Sequence, residues 1–476
     1  MITRPRGRKL AASVADRIVA DIRDLGWPED TVLGSETELL ERYGVSRAVF
    51  REAVRLVEHQ QVARMRRGPG GGLVIAAPST ESVVDAVAIY LLSANARVEH
   101  VAQVRLALED TVAELAPRRL TEADIAVLRD LAARERDDAS TDLRELHTML
   151  ASMTRNPALA FLVDLLTRIT QMYSPSRKAI KAEVREASHR AHLAIIDAAI
   201  AGNEGLTVHR MHKHIAAELE FLGPSHRLLD PKLLRTLEKS DKRGERLARE
   251  IFLEVRDAGW PAGELLGSES ELMERFGVSR AVLREAVRLL EHHQIAAMRR
   301  GPGGGLFVTR PGVEATIGAV TLLIERGGIT PQHLSELRTA LELIAVEQAV
   351  ERLDDEAVAE LEQALAAEES AASAEQLAEI GHDIHDVLAR LTGNPVLELL
   401  CVVLTRLTRM HQRAASGDTR GSGDGKRSGA GRSGKRWYEE VHATHTAIVE
   451  AMVARDVGLA RHRMRRHLDA LMAYVR

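Results

Sequence analysis

The sequence predicts a mainly α protein: two winged helix-turn-helix heads, each followed by an all-helical bundle. Three observations carry this. Leu33 to Arg55 returns nearly unchanged as Leu266 to Arg288, and Met65 to Leu73 returns as Met298 to Leu306, both 233 positions on, so the repeating unit is a domain or more. Elsewhere apolar residues recur at spacings of three and four in stretches rich in Ala, Leu and Arg, the period of amphipathic helices. Strand signals are confined to Val62 to Ile75 and Ile295 to Val308, where short apolar runs flank glycine-rich tips. The expected division is head 1 over 1–78, helical region 1 over 79–222, a connector over 223–243, head 2 over 244–311 and helical region 2 over 312–476.

Within head 1, Glu36 to Tyr43 forms a helix that breaks at Gly44. The chain restarts at Val45 and Ser46, whose hydroxyl can cap the next helix. In that helix Arg47, Arg51 and Arg55 fall four apart on one face, which leaves Val49, Ala53, Val54 and Leu56 for the core. The hairpin follows. Arg66 and Arg67 lead into its turn, where Gly70 and Gly71 let backbone approach a phosphate or the minor groove without a clash. Head 2 repeats the set as Ser279, Arg280, Arg284, Arg288, Arg299, Arg300, Gly303 and Gly304. The connector from Gly223 reads as polar chain with a short helix in it. Helical region 2 carries one addition, the Gly/Ser/Arg-rich stretch from Ala415 to Arg436, which lengthens the spacing between matched histidines by 15 residues. It reads as a flexible surface loop, with a basic lid or DNA-contacting arm as the alternative.

Composition narrows the partners. At 476 residues the chain is too long for one core, and with 45% hydrophobic residues it can fill several. The longest apolar run, around Leu397 to Leu404, is far short of a membrane span, and the N-terminus leads into an amphipathic stretch rather than a signal core. A cytoplasmic protein with no membrane partner is expected. The single cysteine, Cys401, lies in an apolar run and reads as packing. The net charge of −4 gives no global sign of nucleic acid, so charge must be read locally: the first 78 residues hold 13 Arg and Lys against 10 Asp and Glu. Aromatic residues at 3% argue against stacking platforms for single strands or RNA and leave duplex DNA as the better partner.

A helix face of arginines spaced by four offers guanidinium forks to guanine edges and phosphates. The ordinary alternative is a solvated charged face, which two copies with a hairpin attached make less economical. At these residues the chain resembles bacterial GntR-type regulators of the FadR-like branch with a helical (FCD-type) effector domain, and it does so twice over nearly its whole length. The resemblance implies operator contacts from Arg47 and Arg51, and from Arg280 and Arg284, with the wing glycines Gly70 to Gly72 and Gly303 to Gly305 matching. The arginine usual in that family two residues after Ser35 or Ser268 is replaced by Thr37 and Ser270, so the resemblance does not carry over the usual operator sequence.

The helical regions share a histidine pattern. His147 precedes Asn156 by nine residues and is followed by His192 and by His214, behind Met211; His385 precedes Asn394 by nine and is followed by His445 and by His467, behind Met464. Three imidazoles from three helices can enclose Zn²⁺ or another divalent ion; the alternative is a polar core that needs no metal. The family resemblance would add an Asp four residues before the first His, but Leu143 and Gly381 stand there. Asp142 is about 140° around an ideal helix from His147 and would reach the metal only through a distortion. His382, about 60° from His385, is the candidate fourth ligand, which makes the second region the stronger metal site. His189 and His442 read as outer-shell or surface groups. Arg105 with Glu109, and Arg338 with Glu342, read as internal ion pairs; the resemblance makes the arginines candidates for grasping an effector carboxylate.

The expected function is a ligand-responsive regulator, most simply a repressor, of an inverted-repeat operator. Its two fused heads would form an intrachain pseudo-dimer, with a homodimer as the alternative assembly, controlled by a small carboxylate or acyl effector. An architectural DNA-binding protein without ligand is the alternative. A metallohydrolase at a histidine cluster is a weaker one, because no carboxylate stands at the expected helical position and an enzyme gives no reason for duplicated wings. No catalytic residue is assigned.

Overall fold

The computed structural model describes residues 6–59, 62–66, 68, 70–76, 80–137, 142–173, 182–222, 243–299, 301, 303–310, 313–370, 383–417 and 430–473. Head 1 and its following helix contain α1 (Arg6–Asp24), β1 (Val32–Gly34), α2 (Glu36–Tyr43), α3 (Arg47–His59), β2 (Ala63–Arg66), β3 (Gly72–Ile75) and α4 (Thr80–Ser93). The first bundle contains α5 (Val98–Arg119), α6 (Glu122–Asp137), α7 (Glu145–Met153), α8 (Pro157–Tyr173), α9 (Ala182–Ile200) and α10 (Glu204–Leu222). Head 2 repeats with α11 (Arg243–Asp257), β4 (Leu265–Gly267), α12 (Glu269–Phe276), α13 (Arg280–His292), β5 (Ala296–Arg299), β6 (Gly305–Val308) and α14 (Val313–Arg326). The second bundle contains α15 (Pro331–Glu351), α16 (Asp355–Glu369), α17 (Asp383–Leu391), α18 (Pro395–Gly417), α19 (Ala430–Val453) and α20 (Val457–Ala473).

The elements fall into two compact units, one of Met1–Ser93 with Lys232–Arg326 and one of Ala94–Pro231 with Gly327–Arg476. The helices α4 and α14, which sequence placed at the start of the helical regions, thus group with the heads. The connector over 223–242 lies outside the described residues.

Each head follows local chemistry closely. Ser35 and Glu38 form a capping box on α2: the Glu38 N–H donates to Ser35 Oγ at 3.3 Å and the Ser35 N–H donates to Glu38 Oε2 at 2.8 Å. Gly44 ends the helix in the left-handed region at φ 64°, and Ser46 Oγ accepts from the Val49 N–H at 3.4 Å to start α3. Ser268, Gly277 and Ser279 repeat this in head 2. Phe50 is fully buried among Ile18, Ile22, Leu39 and Val57, and Leu283 takes its place in head 2. Burying one such side chain contributes about 1.5–3 kcal/mol. Ala53 and Val54 are buried as expected, while the side chains of Arg55 and Leu56 lie outside those described.

Each wing is a three-stranded antiparallel sheet, ordered β1-β3-β2 and β4-β6-β5. The hairpin strands agree with sequence, with Met65 opposite Leu73 and Met298 opposite Leu306. The third strand, Val32–Gly34 or Leu265–Gly267, is an addition: three residues are too few to show a period, and only pairing with the hairpin makes them a strand. Gly72 is required there, since a Cβ would run into the Gly34 carbonyl. In the same unit α4 packs on α14, Leu322 of α14 enters the core of head 1, and Arg23 donates to Glu325 at 3.1 Å.

The other unit is built around α5 and α15, which touch each other; α5 packs against α7, α8, α9 and α10, and α15 against α17, α18, α19 and α20. The contact repeats in both directions. Asn156, at the turn into α8, donates to the His333 carbonyl at 3.0 Å and to Glu336 Oε2 at 3.0 Å. Asn394, at the turn into α18, donates to the His100 carbonyl at 3.1 Å and to Gln103 Oε1 at 3.0 Å. Helices α18 and α19 run into the stretch expected as a loop, so Ala415–Gly417 and Ala430 to Arg436 are helical. Once a helix is nucleated each added residue gains a hydrogen bond, which extends both ends; 418–429 lie outside the described residues. Among the described residues no helix is long and apolar enough to cross a membrane.

Candidate DNA-binding faces and histidine centres

Helices α3 and α13 present Arg47, Arg51, Arg280 and Arg284 outward. Arg47 and Arg51 are exposed, and their Nε atoms lie 3.3 and 3.4 Å from the same Glu36 Oε1. Arg280 and Arg284 lie 3.3 and 3.6 Å from Glu269 Oε1. A single carboxylate at the start of α2 or α12 thus gathers two guanidinium groups on one face. Arg288 is exposed on the same helix, as are Ser46 and Ser279 at the caps. In the wings Arg66 donates to the Gly70 carbonyl at 2.9 Å, and Arg299 lies over the Phe307 ring at 4.2 Å, a cation–π placement that holds the guanidinium at the hairpin edge. Gly70 and Gly303 take φ 70° and 72° with open space where a Cβ would stand. Gly71 and Gly304 follow them at the tip, while Arg67 and Arg300 lie outside the described residues.

Both histidine triplets converge. His147 from α7, His192 from α9 and His214 from α10 are all buried, and each can offer a ring nitrogen to a common point, with those atoms within 4.8 Å of one another. His192 Nε2 stands 3.1 Å from His214 Nε2, which stands 3.3 Å from His147 Nε2. His385, His445 and His467 form the second centre, with His445 Nε2 and His467 Nε2 3.1 Å apart. Ligands at about 2.0–2.1 Å from one ion would be spaced by about 3–3.5 Å.

The other ring nitrogens decide what these atoms are. His192 Nδ1 lies 2.8 Å from Glu135 and His147 Nδ1 lies 2.9 Å from Glu109. In the second centre His385 Nδ1 lies 2.6 Å from Glu342 and His445 Nδ1 lies 2.8 Å from Glu368. Thr444 gives its hydroxyl proton to the Val441 carbonyl at 2.7 Å, so its oxygen accepts from His467 Nδ1 at 3.0 Å. A carboxylate or a hydroxyl already spent as a donor tolerates only N–H at that range. Protons on Nδ1 leave bare Nε2 lone pairs on His385, His445 and His467 in the second centre and on His147 and His192, either side of His214, in the first, an arrangement that a cation satisfies. Burial lowers the pKa of His192, of His445 and, furthest, of His214, keeping these rings neutral as ligands must be.

The carboxylates Glu135 and Glu368 escaped sequence reasoning. They occupy the same register of the repeat, and each is also approached by a further ring, His189 or His442, at 3.2 Å; that matched register was the available signal. Asp142 lies in the turn before α7, where it accepts from Arg144 at 2.7 Å, and it does not join the group formed by His147, His192 and His214. His382 lies outside the described residues.

The arginine pairs are buried ion pairs, as their spacing predicts. Arg105 Nε is 3.4 Å from Glu109 Oε1, and Arg338 Nε is 2.5 Å from Glu342 Oε1. Burial tends to raise the Glu342 pKa, but Arg338 and His385 override it and bring the carboxyl down to about 2. Glu109 is likewise held low, with His147 and Arg105 overcoming its burial. Burial pushes the Cys401 thiol well up, so it packs rather than reacts.

Comparison with known proteins agrees with this architecture. The family model described as bacterial regulatory proteins, gntR family, matches residues 10–72 and 244–308, and that of the FCD domain matches 100–217 and 333–470. HTH-type transcriptional repressor NanR of Enterobacter sp. (strain 638) is 32% identical over 169 residues, which span 34% of this chain and 64% of that protein. NanR of Cronobacter sakazakii is 29% identical over 238 residues, 49% of this chain and 85% of that protein. Among solved structures, Streptococcus agalactiae GntR is 23% identical, with a TM-score of 0.33 over 44% of this chain and 99% of its own. These relatives are regulators rather than enzymes, and the chain belongs to the GntR family of bacterial regulatory proteins, in the form that carries an FCD domain, with both domains present twice.

Proposed function

We propose that the chain is a cytoplasmic, ligand-responsive repressor whose two heads read the half-sites of one inverted-repeat operator. The observation that carries this is the grouping of both heads in one compact unit through α4, α14 and the Arg23 contact, which supports an intrachain pseudo-dimer; two such heads suit half-sites about one helical turn apart. Arg47, Arg51, Arg55 and their counterparts Arg280, Arg284 and Arg288 read bases and phosphates, and the wing residues Arg66, Arg67, Gly70 and Gly71, with Arg299, Arg300, Gly303 and Gly304, hold the adjacent backbone or minor groove. An FCD domain takes a small carboxylate or acyl effector through its buried arginine, for which Arg105 and Arg338 are the candidates. Binding works by favouring one arrangement of the heads, which requires different affinity for the effector in the two arrangements.

The histidine centres fit Zn²⁺ or a similar divalent ion, held by His147, His192 and His214, and by His385, His445 and His467. Such an ion supplies Lewis-acid attraction for an anionic oxygen. The second centre is the tighter one, because Thr444 orients His467 whereas Ala191 stands at the matching place before His192. Selection of bound sites from random duplex DNA tests the reading: an enriched two-part site is expected, with Arg51→Ala and Arg284→Ala each relaxing a different half. No enrichment at low salt, with or without Zn²⁺, would overturn it.

A further inference from the structure

The two FCD domains differ at one place that matters for an anion. In the first, Arg105 is 1% exposed and is gripped from two sides, by Glu109 on its own helix and by Glu218 of α10, whose Oε2 lies 3.0 Å from Arg105 Nη1. Glu218 stands four residues after His214. In the second domain the residue four after His467 is Leu471, which packs against the apolar core. Among the described residues Arg338 pairs with Glu342 and has no counterpart of Glu218, and its Nη2 is buried with no hydrogen-bond partner; Arg105 Nη1 also makes no aligned hydrogen bond, but it has the Glu218 carboxylate 3.0 Å away as an ion-pair partner. A buried guanidinium N–H without an acceptor is costly, and a carboxylate is the group that best satisfies it.

We infer that Glu218 is a built-in substitute for the effector carboxylate, so that the first FCD domain is permanently occupied by its own chain and the second alone takes the anionic effector. This rests on the carboxylate-effector reading above. Both sites lie beside a histidine centre, since Glu109 approaches both Arg105 and His147 and Glu342 approaches both Arg338 and His385. The contrast is therefore between two versions of one site. Burial works to raise the Glu218 pKa and the Arg105 charge overrides it, leaving Glu218 the anion its role requires. Fusion of two copies permits this division, because one domain can be fixed in its filled form while the other stays responsive.

Acetate, which has the terminal chemistry of a glutamate side chain, is the probe. Titration calorimetry of the full chain with sodium acetate, in the presence of Zn²⁺, is expected to give one site per chain. Glu218→Ala should add a second site, and Leu471→Glu should remove the one the parent has. Glu218 is one-third exposed, so its truncation tests the idea even where a charge at Leu471 prevents folding. Two sites in the parent, or a count still at one after Glu218→Ala, would overturn the inference and leave the carboxylate-effector reading standing. Absence of acetate binding in the parent and in Glu218→Ala would overturn both.

Discussion

Asn156 donates its side-chain N–H to the His333 carbonyl across the pairing of the two FCD domains, and the relationship is returned by Asn394 and His100. Residues 177 positions apart in one direction and 294 in the other thus make the same contact, the isologous pattern expected of a symmetric dimer but formed here within a single chain. One asymmetry sits in it. Arg119 Nη2 pairs with Glu336 at 2.5 Å, whereas Gln103 stands at the position that matches Glu336.

Both asparagines are buried, so truncating either leaves a carbonyl of the other domain without its donor. Asn156→Ala and Asn394→Ala are each expected to destabilise the FCD unit by about 1–3 kcal/mol, read as a shift of its denaturant midpoint. Unchanged midpoints in both variants would show that the pairing does not hold the unit together.

Thr444→Ala should weaken metal binding at the second centre by about 10–100-fold, the usual cost of losing a partner that orients a ligand. Ala191→Thr should strengthen the first. Competition against a chelator of known affinity measures both, and equal affinity of the parent and Thr444→Ala would contradict the role given to the hydroxyl.

With Arg47 and Arg51 as the proposed DNA contacts, Glu36, which lies 3.3 and 3.4 Å from them, is their competing partner. Its replacement in Glu36→Gln should tighten binding to duplex DNA, while Arg51→Ala should weaken a specific site by about 1–3 kcal/mol. Fluorescence anisotropy at fixed salt distinguishes the two, and weaker binding by Glu36→Gln would mean that the carboxylate positions the arginines rather than restrains them.

Because Glu342 is held at about 2 in the folded protein, against an ordinary 4.5, the unfolded chain binds the extra proton first as pH falls. The stability this contributes is complete above about 4.5 and declines toward pH 2, by an amount on the order of 3 kcal/mol. Glu342→Gln should flatten the acid limb of the FCD unit's stability profile; an acid limb identical to the parent's would assign the loss to other carboxylates.

Gly72→Ala would place a Cβ against the Gly34 carbonyl. Loss of about 1–3 kcal/mol from head 1 is expected as β1 is forced off β3. Gly70→Ala, at φ 70° with open space around it, should cost about 1–2 kcal/mol through its backbone alone. Thermal unfolding of the head measures both.

Sequence by itself determined the heads. The capping serines, Gly44 and Gly277, and the arginines at every fourth position act within a few residues of chain, and their meaning does not depend on distant partners. The duplication, the histidine triplets and the Arg105–Glu109 and Arg338–Glu342 pairs were legible for the same reason: spacing and repetition are properties of the chain. What only the tertiary structure decided lies where the deciding partner is far away in sequence. Val32–Gly34 becomes a strand because the hairpin pairs with it. Glu135 and Glu368 become the groups that set the histidine tautomers because separate helices deliver them to the rings, and Glu218 acquires its meaning only beside Arg105. Asp142 lost its candidacy to Arg144, a neighbour two residues on whose competition is settled by which way each side chain faces. Periodicity tells which residues are buried together on one helix, but long-range packing selects which buried charges meet.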